Sequence, residues 1–343
     1  GGGFVRGTAS TPGTDGTRLA ARGVVVVTLN YRTGPLGFFH HEAFANEADS
    51  KVNFGLLDQI LALRWIKANI QAFGGDPSRV TIFGSSAGGA SVLALMLAPA
   101  VGAEALFQRA VVQSGGGIGS RPPATSARTS GTVSAESMGG RFYLGLDKTS
   151  PGANPTGRPE LGGLTLGEME KRFGVATALR HGVTFEQLMD FYGTKWDEHN
   201  NVVKSEFRNY PFVDGAVVPH DSALQGFTAK AQMDIPLIIG YASYEASVVF
   251  GLGQTPDREW GERLVQQFKI APRFSFGDLQ RLYGTTDDAK LATFLYRDVI
   301  YGLPAQLLAG SHAANKKNPV WVYRFGYASG RSKVLAPDQA GHS

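Results

Sequence analysis

Val80-Thr81-Ile82-Phe83-Gly84-Ser85-Ser86-Ala87-Gly88-Gly89 is the stretch on which the reading of the fold turns. Its first four residues form a short apolar run, and residues 90–98 beyond it are a small-residue helical stretch. The pattern is strand, sharp turn, helix. Gly84, Ser86 and Gly88 give the turn the spacing G-x-S-x-G, which in this setting forces the central serine into a strained turn with its hydroxyl clear of the backbone. Glycine is needed on the flanks because a Cβ there would collide with the neighbouring strand or helix. Ser86 is therefore the candidate nucleophile. The plain alternative is a glycine-rich turn with no chemistry.

Working outward, residues 23–30 (Gly-Val-Val-Val-Val-Thr-Leu-Asn) are a nearly unbroken β-branched run, and residues 109–113, 235–240 and 319–325 look similar. Continuous apolar runs without polar alternation suit strands buried on both faces, as in a parallel sheet. Within residues 55–73, Leu56, Ile60, Leu63, Ile66, Ile70 and Phe73 fall three or four apart and make one helical stripe. Gly74-Gly75-Asp76-Pro77 stops it. Alternating β and α elements predict an α/β fold with a mostly parallel central sheet flanked by helices. The 343 residues fit one such domain, residues 1–343. Residues 115–163, rich in Gly, Ser, Thr and Pro, read as a long surface excursion within it. Residues 164–188 and 257–308 read as helical decoration over the sheet.

Composition narrows the chemistry. The chain is 43% hydrophobic and 18% charged, ordinary for a globular protein with a large core. The net charge of +4 is spread along the chain, so nucleic acid is not implied. With no cysteine, disulfides, a cysteine nucleophile and thiolate metal sites are excluded, while the compartment is left open. No apolar run reaches the length of a membrane-spanning helix.

A nucleophilic serine needs a base, and the base needs an orienting acid. In open α/β sheets reactive groups gather beyond the carboxyl ends of strands. Glu245 lies on the segment leaving the run 235–240, which selects it as the acid; its alternative is a solvated loop carboxylate. Asp214 is the rival, but Asp214-Gly215 between Phe212-Val213 and Ala216-Val217-Val218 is a hairpin-turn signature. Of seven histidines, His342 follows the run 319–325 and completes the chain order serine, acid, histidine. His40, His41, His181, His199, His220 and His312 read as surface, decoration, loop or helix-end residues. Gly1-Gly2-Gly3-Phe4 offers backbone donors for an oxyanion, since no side chain blocks their approach; a flexible terminus or cloning remnant reads equally well.

The run from Phe73 to Gly88 resembles the signature of the type-B carboxylesterase/lipase family, the cholinesterase-like α/β-hydrolases. Asn30-Tyr31-Arg32, Gly34-Pro35-Leu36-Gly37-Phe38, Asn53-Phe54-Gly55-Leu56-Leu57-Asp58-Gln59, Gln113-Ser114-Gly115 and Asp214-Gly215 match the same family in order and spacing. The resemblance implies an α/β-hydrolase fold and hydrolysis of small-molecule esters through an acyl-enzyme, without cofactor or metal. It implies Ser86 as nucleophile, Glu245 as acid, His342 as base, and Gly2, Gly3 and Ala87 as oxyanion donors. Ser114 would bond near Glu245. Ser85 stands where the family usually has glutamate, which weakens the case for cationic substrates. Tyr244 and Ala246 also depart from the family around Glu245. A binding protein on the same fold, and an amidase or acyltransferase with the same triad, are the competing functions. The chain opens inside the oxyanion motif and closes one residue past His342, so it reads as an internal piece expected to be poorly soluble or inactive alone.

Overall fold

The computed structural model describes residues 1–10, 12–38, 53–119, 195–196, 202–204, 211–247, 256–268, 270 and 273–327. Four parallel strands form its sheet: β1 (Thr81–Ser85), β2 (Arg109–Gln113), β3 (Leu237–Ala242) and β4 (Val320–Phe325), paired in that order. Among the described residues, the α-helices of six residues or more are α1 (Phe54–Asn69), α2 (Ala87–Leu97), α3 (Pro99–Glu104), α4 (Ala223–Thr228), α5 (Arg258–Gln267), α6 (Phe276–Tyr283), α7 (Asp288–Tyr296) and α8 (Leu303–Asn315). A short antiparallel pair, Lys195–Trp196 with Val202–Lys204, stands apart from this sheet. The parallel sheet with helices packed on it is the architecture that the alternating pattern predicts.

The covered face of the sheet carries Ala110 and Val112 of β2 and Leu237 and Ile239 of β3, all buried. α2 packs on β1 and β2, and α8 on β3 and β4. Nearly every side chain of α2 is buried, with Leu93 wholly so. Removing a side chain of that kind from water contributes about 1.5–3 kcal/mol. The α1 stripe is as expected from Leu56 to Ile70, all buried in the same core. Phe73 departs from it: 62% exposed, it lies against Trp65 with ring centroids 5.8 Å apart. The helix has by then tightened into the 3-10 turn Ile70–Phe73, which rotates the last side chain off the stripe. Helices α5, α6 and α7 close around a smaller core of their own, Leu264, Val265, Phe276, Leu279, Leu291 and Leu295.

Two expectations about strands fail. Residues 24–30 join no ladder, and Val24, Val25 and Val27 are 53%, 46% and 41% exposed. A β-branched run supplies propensity, but a strand exists only where a partner edge pairs with it in register, and the described sheet ends at β1. Nor are all strands covered on both faces, since Phe83, Ile238 and Trp321 stand in solvent. Most of residues 115–163, and all of 164–188, lie outside the described residues.

Asn53 pins the start of α1 to the rest of the molecule. Its Nδ2 donates to the Phe212 carbonyl and to Asp214 Oδ2, both at 2.8 Å, and its Oδ1 accepts from the Phe212 N–H at 2.8 Å. Arg32 makes a forked pair with Asp58 of α1, Nε and Nη2 donating at 2.9 and 2.7 Å, and its backbone N–H donates to the same carboxylate. The Asp58 carboxyl, pushed up by burial, is held below its ordinary value by those bonds.

Candidate active site

Ser86 follows β1 directly and caps the start of α2, with φ 56° and ψ −120°. A non-glycine residue there is held off its preferred backbone by what surrounds it. The Ser86 N–H donates to the Gln113 carbonyl at 2.9 Å, and the Ser86 carbonyl accepts from the Ala90 N–H, so both ends of the turn are tied. Close packing explains the glycines around it. A Cβ on Gly84 would fall 2.5 Å from the Gly88 carbonyl carbon, and one on Gly89 would fall 2.8 Å from the Gln113 oxygen. Ala87 is the first residue of α2, where the N–H has no partner in its own helix.

Ser114 stands at the same level one strand away. Its N–H donates to the Gly240 carbonyl at 2.8 Å, continuing the β2–β3 ladder, and its φ is 49°. Its Oγ donates to Glu245 Oε1 at 2.6 Å. Glu245, three residues beyond β3, is wholly buried, and the same oxygen accepts from the Ala242 N–H at 2.6 Å. Register lines these groups up: Ser85 pairs with Gln113, and Gln113 with Gly240. The carboxyl ends of β1, β2 and β3 thus bring Ser86, Ser114 and Glu245 to one edge of the sheet. The solvated-carboxylate reading of Glu245 does not fit its burial. Asp214 is committed elsewhere, its Oδ1 accepting from the N–H groups of Ala216, Val217 and Val218 at 2.9, 2.9 and 2.8 Å.

The N-terminal glycines lie against the same turn. A Cβ on Gly1 would sit 3.1 Å from the Ser85 oxygen, and one on Gly88 would sit 3.2 Å from the Gly1 nitrogen. Gly2 and Gly3 have φ of 90° and 65°, and the Gly2 carbonyl accepts from Val5 and Arg6 N–H at 3.2 Å each. A Cβ on Gly2 would fall 2.0 Å from the Arg6 oxygen, so the turn admits glycine alone. Phe4 anchors it from below, buried with its ring edge-on to Phe38 at 5.1 Å. This is a tied turn beside the nucleophile candidate, not a loose end.

His342 lies outside the described residues. His312 is wholly buried in α8 with Nε2 at 3.0 Å from the Ile235 carbonyl, a structural position at the opposite end of β3. No group of three or more acidic or histidine side chains suited to a metal ion occurs among the described residues. No described helix is long and apolar enough to cross a membrane. Sequence reasoning missed the Asn53 pin, whose contacts lie 159 residues away in the chain. The one signal for it was that the Asn53 and Asp214 motifs both belong to the resemblance.

The model of the carboxylesterase family matches residues 1–143. The chain is 34% identical over 332 residues to the para-nitrobenzyl esterase of Bacillus subtilis (strain 168), covering 95% of this chain and 58% of that protein. It is 31% identical over 334 residues to the fumonisin B1 esterase of Sphingopyxis macrogoltabida, covering 95% of this chain and 52% of that one. A solved PNB esterase structure superposes with a TM-score of 0.70 at 30% identity, covering 100% of this chain and 61% of the other. The chain therefore spans little more than half the length of these curated relatives.

Proposed function

The chain belongs to the carboxylesterase family and has its α/β-hydrolase fold, and from that premise we propose that it hydrolyses carboxylic esters through an acyl-enzyme on Ser86. The observation that carries the proposal is the pair of strained serines at adjacent strand ends, Ser86 and Ser114, with the second bonded to buried Glu245. In this reading Ser86 Oγ attacks the ester carbonyl carbon and its proton passes to His342. The N–H groups of Gly2, Gly3 and Ala87 meet the oxyanion of the tetrahedral intermediate. Collapse breaks the bond to the alcohol oxygen, which takes the proton from His342 and leaves. Water then repeats the sequence on the acyl-enzyme and frees the acid. Glu245 orients the imidazole and balances its positive charge. In the same reading residues 1–343 belong to a single α/β-hydrolase domain, and the Gly/Ser/Pro-rich composition of 115–163 supports a surface excursion within it.

Neutral small to medium esters are the substrate class. Ser85 places no carboxylate beside the nucleophile, so a cationic alcohol group would lose hydration without gaining an opposing charge there. The relative named for para-nitrobenzyl esters is consistent with an uncharged alcohol. A serine-directed phosphonate is expected to add its mass to the protein but not to Ser86→Ala, and Ser86→Ala should lower kcat on the order of 10⁴ or more. A Ser86→Ala protein with most of its esterase activity would sink the assignment. The substrate class is checked by kcat/KM for a choline ester against its neutral carbon isostere. A tenfold preference for the cation, about 1.4 kcal/mol, would overturn it.

A further inference from the structure

Between α7 and α8 the chain makes a π-helical turn, Arg297–Gly302. Such a turn is rare, occurs mostly as a single insertion and is frequent at functional sites. Asp298 holds this one. It accepts from Arg297 Nε and Nη2 at 2.6 and 2.7 Å and from the Tyr283 hydroxyl at 2.9 Å. The Arg297 guanidinium lies over the Phe294 ring at 4.8 Å, and that ring stacks with Tyr283 at 6.1 Å. Burial, with the Asp298 charge beside it, pushes the Tyr283 hydroxyl well above its ordinary value, so it stays a donor across the working range.

Two close approaches connect this turn to Glu245. A Cβ on Gly302 would lie 3.2 Å from Tyr241 Cζ and 3.3 Å from Asp298 Oδ1. Tyr241 precedes Ala242, whose N–H donates to Glu245. On the other side, a Cβ on Gly116 would lie 3.5 Å from the Ile300 oxygen. Gly116 is two residues beyond Ser114, a second donor to Glu245. The π turn thus packs against β3, which ends at Ala242, and comes near the Gly116 end of the Ser114 segment, two of the segments that hold the carboxylate.

We infer that Asp298, with Arg297 and Tyr283, is a positioning residue for Glu245: it locks the π turn that braces the Ser114 and Ala242 segments, and so fixes where the carboxylate points. The inference rests on Glu245 being the triad acid.

A double-mutant cycle on the full chain, with a neutral aryl ester as substrate, tests it. Asp298→Asn is expected to lower kcat about tenfold with KM changed less than about twofold. Against a Glu245→Gln background the same change should cost less than about twofold, because the aim of an absent carboxylate cannot be lost twice. Tyr283→Phe removes one bond and keeps the ion pair; it should cost about threefold in the first background and nothing in the second. It carries the test if Asp298→Asn loses its cooperative melt. Equal losses in both backgrounds, or an unchanged kcat, overturn the inference and make Asp298 a residue of stability alone. If Glu245→Gln by itself leaves kcat unchanged, the acid assignment fails and this inference fails with it. Phosphonate labelling of Ser86 then tells that failure apart from loss of the serine reading.

Discussion

Ser86 and Ser114 share an unusual state, a left-handed backbone on a non-glycine residue, with φ of 56° and 49°. Each costs about 1–3 kcal/mol and survives only where its surroundings enforce it. The enforcement is visible, since each N–H is bonded to the neighbouring strand's carbonyl, Gln113 for one and Gly240 for the other. For Ser114 the result is a hydroxyl aimed at a buried carboxylate. Ser114→Ala should therefore destabilise the protein by about 1.5–3 kcal/mol, the range for a hydrogen bond to a charged group. Urea unfolding monitored by far-UV circular dichroism measures it, and a loss below about 0.5 kcal/mol would show that the bond matters little. The place of Glu245 just beyond the carboxyl end of a strand was legible in the sequence because it follows a buried apolar run. The exchange of bonds between Asn53, Phe212 and Asp214 was not, because side-chain pairing across 159 positions leaves no local pattern.

Elements differ in how far their sequence speaks for them. The runs that became β2, β3 and β4 were legible as strands, and so was the strand–turn–helix of β1 and α2. Residues 24–30 have the same composition and form no ladder, because pairing is a property of two segments and periodicity reads only one. The π turn was hidden for a related reason: it differs from a helix by one hydrogen-bond step, with no residue type that demands it. Helix α8 carries a testable consequence of burial. His312 is enclosed in it, with Nε2 toward the Ile235 carbonyl and Nδ1 without a partner in the described structure. Burial holds the His312 pKa below its ordinary value; the nearby Asp234 charge opposes that shift and Lys316 adds to it. The unfolded chain thus takes up a proton at a pH where the folded one does not. Its contribution to stability is complete above about pH 6.5, the ordinary histidine value, and is lost as pH falls through that value toward the folded one. His312→Leu should be less stable at pH 7.5 by about 1 kcal/mol for the lost hydrogen bond, yet its Tm should fall less between pH 7.5 and 5.5 than that of the parent. Parallel Tm profiles for the two proteins would refute it.

At the scale of the whole molecule the two faces of the sheet are unequal. Register places Phe83, Val111, Ile238 and Trp321 in one row across all four strands, on the face opposite the buried Ala110, Val112, Leu237 and Ile239. Three of that row are 54%, 39% and 53% exposed, as much as surface residues. Parallel sheets are ordinarily covered on both sides, and a contiguous apolar row in water favours association with anything that removes it from water. Residues 1–343 expressed as they stand should therefore bind a hydrophobic dye while folded and associate as concentration rises. Half-exposed side chains give up little packing when replaced, so Phe83→Lys with Trp321→Lys should leave Tm within about 3 °C, the shift that about 1 kcal/mol produces at this size. The same pair should cut dye binding by about half, because charge at both edges of the row breaks the patch. Sedimentation velocity over a concentration series, read beside dye fluorescence, decides the matter. A parent that stays monomeric and dark would mean the row is covered in solution, and a double variant that binds as much dye as the parent would place the sticky surface elsewhere.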